Sequence, residues 1–508
     1  MVLRTVVGAA DRDPVRRTAA ALAAVCAALA FAGVARSDTI FGAADDSPKF
    51  ADDGGGQFYS RLGAIGLRKS RITVLWDPDR PTEIVDRAFL DRAVPLAPQH
   101  GVQIVFVVYP TKARALTDSA EALDRFAAYL QIVARTYPQV KEIIVGNEFN
   151  QPRFFQPQFN PDGSPFAGGF FATLMARAYD ALKAVDPSIV VIAGATNARG
   201  NDNPVARSNV STSPVRFIRD MGRAYRASGR AGPLMDQLGF HPYPRVNTDS
   251  PSAGYQWPNA GIANLARMKQ AVWDAFHGTA QPTFEEGLRL KIDEIAWQVP
   301  IPPSLVGLYF GTESVPTIDE ETQARYYAEV VKLAACDPAV SELFFFGFTD
   351  ERDLDRYQGG AIRADGSLRP SYSSIAAAIA ETGGRCLGNP VVWRHATTVI
   401  GGSADFGSLA PRPRKGRYWA LLAKAGEEYS YRAGIYRVPA KGRLSQALRA
   451  PAVLEQAGSG AANRGRLVRF ERKRLRPGSY VYTIRMTAAM NPERSSSFVS
   501  RPFRVLSR

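Results

Sequence analysis

Cysteine and histidine are scarce in this sequence. Its 508 residues contain only three cysteines and four histidines. The histidines are too few and too scattered to form a metal-ligand set, which needs ligands at short, regular spacings. No nucleophile elbow with a Ser-His-Asp order is visible, and no cofactor motif rises above chance. We therefore expect neither a resident metal nor a cofactor, and we expect no serine-hydrolase chemistry. The four histidines are His100, His241, His277 and His395.

A glycine-rich phosphate loop is also missing. The first strand-like run is followed by Gly54-Gly55-Gly56, which lacks the dinucleotide-binding spacing, and no Gly-Lys-Ser/Thr follows. These glycines predict a helix entry and not a phosphate cradle. Their pattern also counts against an open doubly wound sheet, because that fold usually carries such a loop after its first strand.

Long apolar runs are confined to the first 35 residues. Arg16 and Arg17 precede the apolar run 18–35, which ends in small residues. This order is typical of a secretory signal, so we expect residues 1–35 to be a signal peptide and the protein to be secreted or held at the cell surface. An uncleaved membrane anchor is the alternative, since the run is just long enough to span a bilayer.

Strand-like and helix-like runs alternate from about residue 38 to 385. The strand-like runs are continuously apolar, as in parallel strands covered on both faces. Eight strand–helix units favour a (β/α)₈ barrel with its functional loops at the carboxyl ends of the strands. The predicted strands are 39–44, 71–76, 102–109, 142–147, 189–195, 236–243, 290–295 and 342–348. The predicted helices are 56–68, 82–98, 118–136, 169–185, 214–227, 261–276, 320–335 and 371–382.

The pattern changes after the barrel, in residues 388–508. Short β-like runs are separated there by Gly, Pro and Ser, which predicts a small all-β, sandwich-like domain. The runs are 418–422, 430–436, 467–470, 480–486 and 498–505. About 23 Lys and Arg stand against about 6 Asp and Glu in this part, so it carries the whole basic surplus of a chain with net charge +15. The surplus indicates either a solvated basic face or attraction to an anionic cell-wall polymer. Nucleic acid is not expected as a partner of an exported protein.

Two cysteines remain once Cys26, inside the predicted signal, is set aside. Cys336 ends the seventh predicted helix and Cys386 follows the eighth. Loops after the helices of a barrel share its non-catalytic face, so we expect these cysteines to lie close together and to form a disulfide. Two free buried thiols are the alternative.

Two glutamates end predicted strands at the other face of the barrel, where the functional loops lie. Glu148 ends the fourth predicted strand and Glu294 ends the seventh, which lies across the barrel mouth. Carboxyls placed in this way can come within about 5–5.5 Å, the separation used by a retaining glycosidase. The alternatives are structural roles: a helix cap at Asn147-Glu148 and an ion pair at Glu294. Asn147 would offer an amide to a sugar hydroxyl beside the scissile bond.

These motifs resemble clan A of the glycoside hydrolases, which includes cellulase-like family 5 and xylosidase-like family 39. In that clan the general acid/base follows an Asn at the end of strand four, and the nucleophile ends strand seven. Asn147, Glu148 and Glu294 match those positions. His241 and Tyr243 resemble the strand-six pair that contacts substrate and holds the nucleophile. Arg71 resembles the strand-two arginine near the nucleophile.

The resemblance implies a secreted retaining glycoside hydrolase acting on a polysaccharide or oligosaccharide. Phe348 stands where the clan more often has a tryptophan, and we expect Trp297 to supply stacking area instead. Two other functions stay open: a non-catalytic carbohydrate-binding or cell-surface protein that kept the barrel, and a transglycosylase using the same intermediate.

Overall fold

Eight parallel strands close into a barrel in the computed structural model, which describes residues 38–406, 418–471 and 475–505. The predicted (β/α)₈ fold is therefore confirmed. The strands are β1 Ile40–Ala44, β2 Lys69–Trp76, β3 Gln103–Pro110, β4 Glu142–Val145, β5 Val190–Asn197, β6 Gln237–His241, β7 Arg289–Ile295 and β8 Val340–Phe346. The principal helix after each strand is, in order, α1 Gly56–Ala64, α2 Arg87–Leu96, α3 Ala122–Thr136, α4 Ala167–Val185, α5 Pro214–Ser228, α6 Leu265–Phe276, α7 Glu320–Cys336 and α8 Pro370–Thr382.

The predicted signal peptide lies outside the described residues. Within the described part of the chain, none of the helices combines the length and the hydrophobicity that a bilayer crossing requires.

A buried quartet of charges fills the barrel below its mouth. Lys69 of β2 and Lys291 of β7 each bind both Glu142 of β4 and Glu342 of β8. Burial would raise the pKa of Glu142, but Lys291 and Lys69 lower it to about 2. These charges can stay in the interior because each one is paired. The quartet cross-links β2, β4, β7 and β8, and Arg71, Glu148 and Glu294 lie on or just after three of these strands.

The opposite, amino-terminal end of the barrel holds a disulfide. Cys336 is the last residue of α7, and its sulfur is bonded to that of Cys386, which follows α8. Thr39 N donates to Gly384 O nearby, so β1 is fastened at the same end. The disulfide lies on the face opposite the mouth of the barrel, as predicted from the order of strands and helices in the sequence.

The C-terminal residues form two antiparallel sheets around one core. One sheet has the order β13-β10-β9, and the other has the order β12-β11-β14-β15, with β16 paired to β14. The small all-β module is thus confirmed, although β9 and β12 were not predicted. The strands are β9 Ser403–Asp405, β10 Tyr418–Lys424, β11 Tyr429–Val438, β12 Leu454–Gly460, β13 Arg466–Glu471, β14 Gly478–Ala488, β15 Ser495–Val499 and β16 Phe503–Val505.

One buried arginine joins this module to the barrel. The guanidinium of Arg494 binds Asp274 of α6 and Glu427 of the module, with shortest contacts of 2.8 and 2.6 Å. It also donates to Thr398 O. The guanidinium bridges two carboxylates that would otherwise be buried together without a counter-charge. Barrel and module belong to one compact unit, Thr39–Arg508.

Candidate active site

A pocket of about 1020 Å³ opens at the carboxyl ends of the barrel strands. Residues from all eight strands or the loops that follow them line it, which is the usual place for a functional site in this fold. The long segments after β4 and β5 contribute Gln151, Arg153, Phe154, Arg199 and Asn209 to its wall.

Glu148 adopts an unusual backbone conformation. Its φ is +42°, a left-handed value that a residue with a side chain rarely takes. Gly146 precedes it with φ +88°, and Glu148 N donates to Ala195 O over 2.8 Å. That carbonyl lies where the pairing of β5 with β6 shifts register, between Ala193 and Thr196. Residues held in such conformations cluster at functional sites, where the surrounding structure fixes them.

Asp293 and Glu294 are neighbours in β7, yet both face the interior of the mouth. Successive side chains of a regular strand point to opposite faces. The register between β7 and β8 shifts between Ile292 and Ile295, and this irregularity accommodates both carboxylates. Arg71 contacts both of them, with Nε 3.3 Å from Asp293 Oδ2 and Nη1 2.9 Å from Glu294 Oε1.

Glu148 and Glu294 face each other across His241. One oxygen of each carboxylate and a ring nitrogen of His241 all lie within 4.8 Å of one another. His241 Nδ1 lies 2.9 Å from Glu148 Oε1 and 3.3 Å from Glu294 Oε2. The structure thus brings together the two glutamates that were expected as a pair.

The two carboxylates differ in the donors they receive. Glu294 is bound by the Arg71 guanidinium and by the Tyr243 hydroxyl, which donates to Oε2 over 2.9 Å. Apart from His241, Glu148 accepts from the neutral amide of Asn197, also over 2.9 Å. Donors and positive charge favour the ionised form of a carboxyl. Among the described residues, Glu294 thus has an arginine partner that Glu148 lacks.

The charges of the site shift several pKa values. Burial would lower the pKa of His241, but Glu294, Asp293 and Glu148 raise it to about 10. Burial raises the pKa of Glu294 above its ordinary value, although His241 and Arg71 oppose the shift. The pKa of Asp293 is lowered: burial acts to raise it, and the positive charges of His241 and Arg71 outweigh that effect. The acidic neighbours of His241 thus favour its protonated form.

The same atoms bear on metal binding. Glu148, His241 and Glu294 are the one group of described residues whose ligand atoms lie close enough to share an ion. A protonated His241 carries hydrogen on both ring nitrogens and cannot coordinate a cation. Arg71 and Tyr243 already donate to Glu294. A cation bound there would have to displace these two donors from Glu294.

Asn147 reaches the pocket beside the acid pair. Arg71 Nη2 donates to Asn147 Oδ1 over 2.9 Å, which leaves the amide hydrogens of Asn147 for another acceptor. The residues predicted from the sequence that the structure places in this cluster are Arg71, Asn147, Glu148, His241, Tyr243 and Glu294.

Two residues of the cluster were missed by sequence reasoning. Asn197 ends β5, and buried Asn150 fixes it by accepting from Asn197 N and donating to Asn197 O. Asp293 adjoins Glu294 and is fully buried. Their positions at the carboxyl ends of two strands could have identified them, because polar residues there converge on the mouth of a barrel.

Trp297 does not lie in the pocket, contrary to the expectation of a stacking surface. Its side chain is fully buried and packs near Tyr326 and Tyr327, while its indole N–H donates to Asp249 O. Phe348 is fully buried as well. The chain turns these two side chains into the core beyond the strand ends. The aromatic wall of the pocket is formed instead by Tyr109, Phe154, Tyr243, Tyr255, Phe346 and Tyr357.

Charged side chains surround the rim of the pocket. Arg153, Arg199 and Arg245 extend from the loops after β4, β5 and β6. The loop after β8 contributes Glu351, Asp353 and Asp355, together with Arg356, which pairs with Glu351 and Asp353.

Comparison with known proteins gives structural likenesses only. No family model matches the sequence, and no curated protein matches it either. The structure is similar to a family 39 glycoside hydrolase from Bacteroides cellulosilyticus WH2, with 15% identity over 84% of this chain and 80% of that one and a TM-score of 0.48. It is also similar to a family 5 subfamily 18 protein from Streptomyces cattleya, solved in complex with Manβ1-4GlcNAc, with 16% identity over 71% and 84% and a TM-score of 0.47.

A glucosidase from Croceicoccus marinus has 14% identity over 86% of this chain and 93% of its own, with a TM-score of 0.45. At such identities the similarity concerns the fold, and the chemistry has to be derived from the side chains of this chain.

Proposed function

We propose that this chain is a retaining glycoside hydrolase that cleaves O-glycosidic bonds of a polysaccharide or oligosaccharide. The observation that carries the proposal is the facing pair Glu148 and Glu294, with oxygens within 4.8 Å at the mouth of a (β/α)₈ barrel. Two carboxyls at this spacing support double displacement, in which one attacks the anomeric carbon and the other transfers the proton.

Glu294 is assigned as the nucleophile. It must be ionised to attack, and its oxygens accept from Arg71 and Tyr243, which stabilise the negative charge. Attack forms a glycosyl-enzyme through Glu294 and expels the leaving oxygen.

Glu148 is assigned as the general acid/base. It accepts from the neutral amide of Asn197 and contacts His241, whereas Glu294 also binds the Arg71 guanidinium. It gives its proton to the leaving oxygen and then takes one from the water that attacks the glycosyl-enzyme. Asn197 and His241 hold Oε1 of Glu148 in place for both steps.

Asn147 supplies the substrate contact nearest to the reacting carbon in this proposal. Among the described residues its amide hydrogens have no acceptor, so they can donate to a sugar hydroxyl beside the scissile bond, while Arg71 occupies its oxygen. Hydrogen bonds to that hydroxyl strengthen in the oxocarbenium-like transition state and so increase the rate.

The enzyme would act outside the cell. The charged, apolar and small-residue order of residues 1–35 supports export, so the substrate would be extracellular. The basic surplus of residues 388–508 supports attraction of the C-terminal module to an anionic cell-wall polymer. Its salt dependence would separate this attraction from a merely solvated surface.

A transglycosylase would use the same glycosyl-enzyme with a sugar hydroxyl in place of water as the acceptor. A carbohydrate-binding protein would use the pocket without turnover. The retention of two facing glutamates with unlike donors favours a catalyst over a binding protein, since binding alone does not require such a pair.

The test is a panel of aryl glycosides assayed with wild type, Glu148→Ala and Glu294→Ala. The proposal expects wild-type turnover and loss of nearly all of it in Glu294→Ala. Azide should then give product of inverted configuration with Glu294→Ala and of retained configuration with Glu148→Ala, because it replaces the nucleophile in one case and water in the other.

Asp355→Asn is the control, since it removes a carboxylate from the rim of the same pocket and leaves the pair intact. A Glu294→Ala variant that keeps a substantial share of the wild-type rate would refute the assignment of the nucleophile. Product analysis with an added oligosaccharide acceptor distinguishes hydrolysis from transglycosylation.

A further inference from the structure

A second cavity lies between the flank of the barrel and the C-terminal module. Its volume is about 360 Å³, within the range of small-molecule sites. Helix α6 and the residues before it form one wall, Glu427, Met490 and Arg494 of the module form another, and the connecting segment adds Trp393. We call this cavity the interdomain groove.

Two tryptophans line the interdomain groove, and both are only partly buried. Trp257 lies in the loop after β6, and Trp393 lies in the segment between α8 and β9. The Arg216 guanidinium lies over one face of Trp257, 5.7 Å from the ring centroid. The exposed part of each indole offers a flat apolar surface beside a polar edge. The apolar C–H face of a sugar ring stacks on such a surface while its hydroxyls remain available for hydrogen bonds.

Arg267 supplies a cation that the groove itself does not neutralise. Its Nη1 donates to the backbone oxygens of Tyr255 and Asn259, and no carboxylate among the described residues forms an ion pair with it. Burial lowers its pKa, as expected for a charge without a counter-ion. A ligand bearing hydroxyl or carboxylate oxygens would provide the missing acceptors.

The floor of the groove, by contrast, is electrostatically satisfied. Arg494 binds both Asp274 and Glu427, and Gln270 Oε1 accepts from Ala396 N. These contacts hold the two walls at a fixed separation. The groove is therefore preformed, which reduces the entropy cost of binding.

The groove shares a wall with the active-site pocket. Tyr255 lines the pocket, and its backbone N–H and C=O are held by Asn264 and Arg267, which line the groove. The loop after β6 thus faces the pocket with Tyr255 and the groove with Trp257. A chain leaving the pocket over this loop would meet the two tryptophans.

We propose that the interdomain groove, through Trp257, Trp393 and Arg267, binds a second stretch of the same polysaccharide that enters the active-site pocket. The inference rests on the proposed function for the class of ligand. It gives the C-terminal module a direct part in substrate binding, because the groove exists only where module and barrel meet.

The experiment uses the full chain carrying Glu294→Gln, so that bound polymer is not consumed. Affinity gel electrophoresis measures its binding to galactomannan, xylan, carboxymethylcellulose and polygalacturonate. Titration measures its binding to the matching disaccharides. Two sites on one polymer chain raise affinity by linkage, and a disaccharide cannot bridge them. We expect the ratio of polymer affinity to disaccharide affinity to fall about tenfold or more in Trp257→Ala/Trp393→Ala.

Ala266→Tyr is a second variant, because it narrows the groove from an exposed position of α6 and removes no existing contact. It should lower the same ratio even if the double variant folds poorly. Phe89→Ala, a partly exposed aromatic on α2, is the matched control and should keep the ratio.

Each outcome decides the matter. An unchanged ratio in both groove variants, or no binding of the parent to any of the four polymers, overturns the inference. Hydrolysis of the polymers by the wild-type chain is assayed in parallel. Groove-dependent binding without any hydrolysis would contradict the proposed function and leave the groove as a glycan site. Hydrolysis of a polymer with an unchanged affinity ratio would support the proposed function and overturn the inference about the groove.

Discussion

Nε2 of His241 lies 3.3 Å from Oδ2 of Asp293, and both side chains are fully buried. Asp293 therefore faces one edge of the His241 ring, while Glu148 and Glu294 face the other. The contact places a buried carboxylate beside His241 on the side away from the two glutamates. It makes Asp293 a positioning residue for His241.

Asp293→Asn should lower the pKa of His241, because it removes a buried negative charge in direct contact with the ring. We expect the ring of His241 to lose its proton at a pH lower by about one unit or more. The measurement is the pH titration of the His241 ring signals by NMR in wild type and variant. Asp355→Asn removes a charge from the rim without touching His241, so the titration of His241 should stay in place. Equal shifts in both variants would contradict a specific role for Asp293.

The raised pKa of His241 also predicts a loss of stability in alkali. A basic group whose pKa is raised to about 10 on folding stabilises the protein fully below its unfolded value near 6.5 and ceases to do so as pH passes 10. Wild type should have a higher free energy of unfolding than His241→Gln at pH 7. This difference between the two proteins should be smaller at pH 10 by at least about 1 kcal/mol. Urea unfolding of both proteins at the two pH values checks this. A gap that does not depend on pH would argue that His241 is neutral in the folded state.

Tyr243→Phe should reduce kcat/KM by about ten- to a hundredfold, since the hydroxyl that donates to Glu294 is lost while the ring remains. Without this donor the ionised form of Glu294 is less favoured, so the acid limb of the profile should move to higher pH. Steady-state kinetics between pH 4 and pH 8 measure both effects. Tyr255→Phe is the control, because its hydroxyl donates to the backbone oxygen of Tyr243 and not to a carboxylate.

Arg494→Met should lower the free energy of unfolding by about 3–5 kcal/mol, because it leaves Asp274 and Glu427 buried without their cation. Chemical denaturation of the full chain measures the loss. The triple variant Asp274→Asn/Glu427→Gln/Arg494→Met removes the stranded charges and should recover part of it. A triple variant no more stable than Arg494→Met would contradict the electrostatic explanation.

Removal of the disulfide should destabilise the barrel. Cys336 and Cys386 are separated by 50 residues, and closing a loop of that length stabilises a protein by about 4 kcal/mol through the entropy of the unfolded chain. Cys336→Ser/Cys386→Ser should therefore unfold at lower denaturant concentration than wild type. Wild type treated with a reductant should behave like the variant, and no difference between oxidised and reduced protein would show that the cross-link contributes little.

Much of the fold and part of the site were accessible from the sequence. The barrel strands are continuous apolar runs, since both of their faces are buried, and their order fixes which residues end at the mouth. Glu148 and Glu294 were found in this way. Strand β12, Leu454–Gly460, was missed because it is a glycine-containing edge strand without an apolar run.

The sequence by itself determined the eightfold alternation, the all-β module and the ends of the strands, because local patterns report burial and backbone preference. Only the tertiary structure decided that Asp293 and Glu294 both face inward, since that depends on a register shift against β8. It also placed Trp297 in the core and joined Trp257 to Trp393 in one groove. Such contacts bring together residues far apart in the chain, and no local pattern encodes which neighbours a side chain will meet.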